Sequence, residues 1–188
     1  ANELMHAGKW EKKALQGTEL RGKTLGIVGL GKIGLEVAKR ARAFGMEIIA
    51  HDPFVSAALA KESGIRLASL DEVYAASDYL SLHVGLTPQT QNMINPESLK
   101  KMKKGVRLVN CARGELIDEA ALIAALQEGQ VASAALDVFV KEPLKDSPLQ
   151  KMDNVVLTPH IAGSTNEAQE AVGHQIALQV KEYLKHGV

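Results

Sequence analysis

Thr24-Leu25-Gly26-Ile27-Val28-Gly29-Leu30-Gly31-Lys32-Ile33-Gly34 is the stretch that decides the fold of this chain. An apolar run enters a G-x-G-x-x-G turn, and a helical apolar pattern (Val37, Ala38, Ala41, Phe44) leaves it before Gly45. Glu47-Ile48-Ile49-Ala50 then reads as a short buried strand delivering Asp52, 18 residues after the last glycine of the turn. A glycine turn alone would be weak evidence; flanked by strand, helix and acid, it is the fingerprint of a dinucleotide-binding βαβ unit. Gly29 permits the tight turn, Gly31 lets a pyrophosphate approach the backbone, and Gly34 lets the helix pack closely. The amides of Lys32 and Ile33 then point at the phosphates, assisted by the positive end of the helix dipole. Asp52 can accept both hydroxyls of the adenosine ribose and would repel a 2′-phosphate. No arginine follows in His51-Asp52-Pro53-Phe54-Val55-Ser56, so NAD rather than NADP is the expected cofactor.

Strand and helix patterns alternate along the rest of the chain, which predicts an α/β fold: a doubly wound parallel sheet, Rossmann-type, covered on both faces. Helices are expected over 57–62, from the Ser69/Glu72 capping box through Ala76, from Asn95-Pro96 toward Met102, and over 119–128 behind Asp118. A long terminal helix is expected behind Thr165, reaching about Lys185. Strands are expected over 79–83, 106–109, 132–136 and 155–157.

With 188 residues and 46% hydrophobic residues, the chain is long enough for one domain that buries roughly 70% of its unfolded surface. Residues 1–188 therefore read as a single NAD-binding domain, with residues 1–17 as a polar lead-in whose one large apolar group is Trp10. Both ends look cut, and the expectation is a fragment lacking most of a substrate lobe. A formal charge of zero argues against a nucleic-acid partner, and the absence of an 18-residue apolar stretch argues against a membrane span. The single cysteine, Cys111, cannot form an internal disulfide and no leader pattern is visible, so the expected location is cytoplasmic. No metal-ligand spacing is present, so no metal is expected.

Asp52, His83, Arg113, Asp137 and His160 each fall just past the carboxyl end of an expected strand, the edge where open α/β sheets bind ligands. Here the chain resembles the D-isomer-specific 2-hydroxyacid dehydrogenases. The resemblance rests on Gly29-Leu30-Gly31-Lys32-Ile33-Gly34, Asn110-Cys111-Ala112-Arg113-Gly114, Ala135-Leu136-Asp137-Val138-Phe139 with Glu142-Pro143, and Pro159-His160. It spans roughly residues 10–184. His160-Ile161-Ala162-Gly163-Ser164-Thr165, followed by Glu167-Ala168-Gln169, is most similar to the branch that oxidises 3-phospho-D-glycerate to 3-phosphohydroxypyruvate at the start of serine biosynthesis. Glyoxylate or hydroxypyruvate is the alternative substrate.

The resemblance implies that Arg113, Glu142 and His160 are catalytic, and the chemistry agrees. Oxidation of a 2-hydroxy acid needs a base on the hydroxyl, and an imidazole with a reference pKa of about 6.5 suits it. Glu142 would orient the ring and favour its protonated form for the reverse reduction. Arg113 offers a planar fork to the substrate carboxylate, each charge-assisted bond being worth roughly 1.5–3 kcal/mol. By the same analogy Asp137 lies near the nicotinamide, and the backbone of Cys111, Ala112 and the loop of His160, Ala162 and Gly163 completes the cleft. Cys111 itself is expected to be a small buried hydrophobe, not a nucleophile, and His83 to shape its loop. Val84-Gly85 departs from the family pattern, which makes a side-chain contact from Val84 doubtful while backbone contact stays open.

Plainer readings stand beside these: a loop histidine at 160, a solvated turn residue at Glu142, and an ion pair of Arg113 with Asp118 or Glu115. A rival of another class is an NAD-sensing corepressor of the C-terminal-binding protein type. Trp10 and spare apolar residues on exposed helices suggest a homodimer.

Overall fold

In a computed structural model, which describes residues 1–187, seven strands form one sheet in the order β3-β2-β1-β4-β5-β6-β7, every pair parallel. The strands are β1 (Thr24–Val28), β2 (Glu47–His51), β3 (Arg66–Leu67), β4 (Tyr79–Leu82), β5 (Val106–Asn110), β6 (Val131–Leu136) and β7 (Val155–Leu157). The helices are α1 (Asn2–His6), α2 (Lys32–Ala43), α3 (Ala57–Glu62), α4 (Leu70–Ala76), α5 (Pro96–Lys101), α6 (Glu119–Gln127) and α7 (Asn166–His186). From β1 the chain winds outward to β3, then crosses back to lay β4 on the other side of β1. The strand order reverses between β1 and β4, and this reversal opens a crevice at the carboxyl edge.

The apolar strands are explained by burial on both faces. Leu25 and Ile27 of β1 join Ile48 and Ala50 of β2 in a core shared with Ala38, Ala41 and Ala60 of α2 and α3. Val28 and Ile49, one residue out of phase, enter a larger core on the other face with Val73, Leu80, Leu108 and Leu122. The period of two along each strand sorts the side chains between the two layers.

The expected caps are made. Ser69 and Glu72 form a reciprocal capping box, Asn95 accepts from the amides of Glu97 and Ser98, Asp118 accepts from Ala121, and Thr165 accepts from Ala168. The pattern reading has no counterpart for α1, for the two-residue β3, or for short 3-10 turns at Gly114–Leu116 and Pro148–Lys151. The chain is anchored just after the lead-in, where the Thr18 hydroxyl accepts from Arg107 at 3.0 Å. Trp10 is 80% exposed, and α7 has no buried residue. No helix among the described residues is long and apolar enough to cross a membrane.

Candidate active site

The glycine turn connects β1 to α2 and is tied to the end of β2. Gly29 has φ +95°, and a Cβ there would sit 2.6 Å from the His83 carbonyl oxygen, so both conformation and space demand glycine. Asp52 accepts from the Leu30 amide at 2.7 Å and from the Phe54 amide at 2.8 Å. The acid expected to meet a ribose thus also fixes the turn that would hold the phosphates. A Cβ on Gly31 would meet nothing within 4 Å, which leaves open space before the first amides of α2, those of Lys32 and Ile33. Gly34 presses against the Gly29 carbonyl itself, at 2.1 Å from a hypothetical Cβ.

A cavity of about 600 Å³ opens here, lined by Gly29, Gly31, Asp52, Phe54, His83 and Val84 among others. This lies within the usual size range of cofactor pockets. The Val84 side chain lines the cavity wall and packs against the glycine turn. His83 is bonded to the Ser81 hydroxyl at 2.8 Å, and burial pushes its pKa down, which favours the neutral ring. Together the open glycine turn, the free helix amides and Asp52 suit the pyrophosphate and ribose of NAD.

Farther along the same edge, the loops after β5, β6 and β7 meet. Asp137, directly after β6, is 2% exposed. Its carboxylate accepts from Thr158 Oγ1 at 2.5 Å and from the amides of Ile161 and Ala162, both at 2.8 Å. Its backbone carbonyl accepts from the His160 amide at 2.8 Å. Burial alone would raise the Asp137 carboxyl, but these donors outweigh it and hold the pKa below its ordinary value. Four bonds from one residue thus clamp the loop on both sides of His160, whose backbone lies in the left-handed region at φ +54°.

Glu142 bridges the two loops. Its Oε1 accepts from the Phe139 amide at 3.1 Å, and Oε2 lies 2.8 Å from His160 Nδ1. The hydrogen bond with His160, then the Phe139 amide, holds the Glu142 pKa low, so the carboxylate is ionised and can only accept. Nδ1 is therefore the donor, and Nε2 is left for a ligand. Side-chain exposures of 52% for His160 and 38% for Glu142 leave the pair open to solvent. A groove of about 570 Å³ runs beside it, past Phe139, Pro143, Leu144 and Leu157.

Arg113 is positioned by Asn110, a side chain 1% exposed at the end of β5. Asn110 accepts from the Ala112 amide at 3.0 Å and donates to the Arg113 carbonyl at 2.9 Å. Gly114 then lies flat on the next loop: a Cβ would fall 2.0 Å from the Phe139 carbonyl carbon and 2.4 Å from the Val140 nitrogen. The absence of that methyl brings the Arg113 loop against the Glu142 loop. The guanidinium is exposed and donates to the Ala112 carbonyl at 2.5 Å. Among the described residues it forms no ion pair; Asp118 is occupied as the cap of α6.

One expectation is corrected. Cys111 is exposed, not buried, because it is the first residue after β5, where the chain has already left the sheet. Desolvation of the sulfur and the nearby Asp137 charge raise its thiol pKa, which keeps it protonated near neutrality. The Gly163 position is open space. Sequence reasoning gave no role to Asn110, Thr158 or the close approach at Gly114. The signal for Asn110 was its place at a strand end two residues before Ala112, the spacing of an Asx turn.

A doubly wound sheet with a phosphate-ready glycine turn and an imidazole–carboxylate pair on the same edge defines a Rossmann-type dinucleotide-binding domain. The chain belongs to the D-isomer specific 2-hydroxyacid dehydrogenases: the family model for their NAD binding domain matches residues 1–162. It is 49% identical over 186 residues to a D-3-phosphoglycerate dehydrogenase of Methanocaldococcus jannaschii, covering 98% of this chain and 36% of that protein. A glyoxylate reductase from Paecilomyes thermophila superposes with a TM-score of 0.92 at 41% identity, covering 99% of this chain and 56% of that one. D-lactate dehydrogenase from Aquifex aeolicus, complexed with NAD and lactic acid, superposes with a TM-score of 0.87 at 35% identity, covering 98% and 60%. The chain spans about a third of the length of the curated relatives it matches.

Proposed function

We propose that the complete protein oxidises 3-phospho-D-glycerate to 3-phosphohydroxypyruvate with NAD, and that this chain supplies the cofactor site and the proton-transfer apparatus. The observation that carries the reading is the 2.8 Å bond between His160 Nδ1 and the Glu142 carboxylate, on the same sheet edge as the glycine turn. Arg113 receives the substrate carboxylate in its planar fork and sets a positive charge beside the developing alkoxide. His160 takes the hydroxyl proton at Nε2, while Glu142 holds Nδ1–H and stabilises the imidazolium that results. The glycine turn would hold NAD, whose nicotinamide would supply the hydride acceptor. Lys32 and Ile33 offer amides to its pyrophosphate, Asp52 accepts from its ribose, and Val84 packs beside it. Asp137 positions the His160 loop, and its one remaining lone-pair site serves the carboxamide. The backbone of Cys111, Ala112, Ala162 and Gly163 closes the cleft.

A second lobe completes the site by excluding water and holding the phosphate of the substrate. We further assign the exposed Trp10 segment to contact with a second copy, and the protein to the cytoplasm. The high TM-score with a glyoxylate reductase favours a smaller 2-hydroxy acid as the second reading. Initial rates of NADH formation by the complete protein with 3-phospho-D-glycerate, D-glycerate, glycolate and D-lactate decide between them. Saturable turnover confined to the phosphorylated acid supports the first reading; preference for glycolate moves the assignment to the second. No turnover, with NAD-dependent association to another protein, defeats both.

A further inference from the structure

The amino edge of the sheet, opposite the glycine turn, holds a separate polar cavity of about 200 Å³. Thr18, Lys23, Asp78, Lys103, Lys104 and Arg107 line it. Four cations thus surround one carboxylate, in a chain with a formal net charge of zero. Asp78 cannot balance them. Its Oδ1 accepts from Lys103 Nζ at 3.0 Å and its Oδ2 from the Thr24 amide at 2.8 Å. Lys23, Lys104 and Arg107 form no ion pair among the described residues.

Arg107 is held in place. Its guanidinium lies 5.2 Å from the centroid of the Tyr79 ring, its Nη2 donates to Thr18 at 3.0 Å, and its amide donates to the Asp78 carbonyl at 3.0 Å. A planar fork fixed by stacking has already lost much of the freedom that binding would remove. Lys100 and Lys101 in the last turn of α5, and Lys103 and Lys104 just past it, lie where its negative C-terminal end favours cations. Lys23 and Arg107 do not: they come from the starts of β1 and β5. Two separate chain segments, Lys23 and the continuous stretch from Lys103 to Arg107, therefore bring positive charge to one small concavity.

We infer that this pocket binds a dianionic phosphoryl group, as free phosphate or as a small phosphate ester, at a site distinct from the cofactor cleft. Arg107 supplies paired donors to two oxygens, and Lys23 and Lys104 act as mobile point charges on the others. Lys103, already bonded to Asp78, shields that carboxylate from the anion.

Titration of the chain with inorganic phosphate at constant ionic strength, followed by amide chemical shifts, tests this. Saturable shifts at Thr18, Lys104, Gly105 and Arg107, with the amides of Gly31 to Gly34 unmoved, are expected. A parallel titration with glycerol phosphate separates the sources: tighter binding at the same amides assigns the pocket to esters, and equal binding assigns it to the free ion. The double variant Lys23→Gln/Lys104→Gln should weaken the affinity about tenfold, roughly threefold for each solvent-accessible charge removed, with NADH binding unchanged. Shifts that never saturate, shifts centred on the glycine turn, or wild-type affinity in a double variant that still binds NADH would each overturn the proposal.

Discussion

Gly114→Ala is the most demanding test of how the site is assembled. The added methyl would lie 2.0 Å from the Phe139 carbonyl carbon, 2.3 Å from its oxygen and 2.4 Å from the Val140 nitrogen. All three are backbone atoms, so no side chain can rotate away. Relief to ordinary contact requires the loop bearing Arg113 and the loop bearing Glu142 to separate by about 1 Å or more, the scale of overpacking that costs about 1–3 kcal/mol. In a domain of this size that lowers the melting temperature by roughly 2–12 °C. A shift of about 1 Å between reacting groups also costs on the order of 100-fold in rate. The glycine turn is remote from the clash and only the Cys111–Ala112 backbone of the cofactor cleft moves with the loop, so NADH affinity should fall by less than about tenfold, or 1.4 kcal/mol. Thermal melting, NADH fluorescence titration of the isolated chain, and turnover of the complete protein are the three readouts. Gly173→Ala, in α7 with open space around it, is the control and should stabilise by about 0.5–1 kcal/mol or less. Wild-type melting and turnover in Gly114→Ala would refute the claim that this contact sets the distance between Arg113 and Glu142.

Other expectations are more local. Glu142→Gln keeps the shape but removes the charge behind His160, so turnover of the complete protein should fall about 10²–10⁴-fold while NADH affinity measured by fluorescence is retained. Asp52→Ala removes the proposed ribose acceptor and the anchor of the Leu30 amide together; NADH binding should weaken about tenfold or more, as calorimetry can check. Asp137 has a lowered pKa in the folded chain, so its contribution to stability is complete above the unfolded carboxylate value of about 3.9 and is lost as pH falls through the folded value. Melting curves from pH 6 to about pH 3 should therefore fall less steeply in Asp137→Asn than in wild type. Equal slopes would remove Asp137 from that role. The isolated chain should bind NADH yet show negligible turnover of 3-phospho-D-glycerate; efficient turnover would show that no second lobe is needed.

The parts of the fold that local chemistry writes were readable in advance. Ser69, Asn95, Asp118 and Thr165 mark helix starts because a side-chain oxygen must satisfy amides within three residues of itself. The glycine turn was readable for the same reason, since each glycine answers a constraint set by its neighbours. β3 was not, because two residues, Arg66 and Leu67, cannot display a period. Gly114 and Thr158 were also silent. Their partners, Phe139 and Asp137, lie more than 20 residues away, and only the sheet brings them together. Cys111 misled because an apolar type at a strand end says nothing about whether the chain has already turned outward. His160 and Glu142 were named by resemblance, whereas the bond between them and the clamp behind them are tertiary facts.

The dihedral angle of His160 carries a last consequence. A side chain with a Cβ held at φ +54° stores strain on the order of 1–3 kcal/mol, which the bonds from Asp137 must overcome. Glycine at 160 would relax that tension and discard the imidazole in the same stroke, so the sturdiest version of this loop lacks the group proposed to move the proton. A histidine at such an angle is the mark expected of a loop in which chemistry and durability pull in opposite directions.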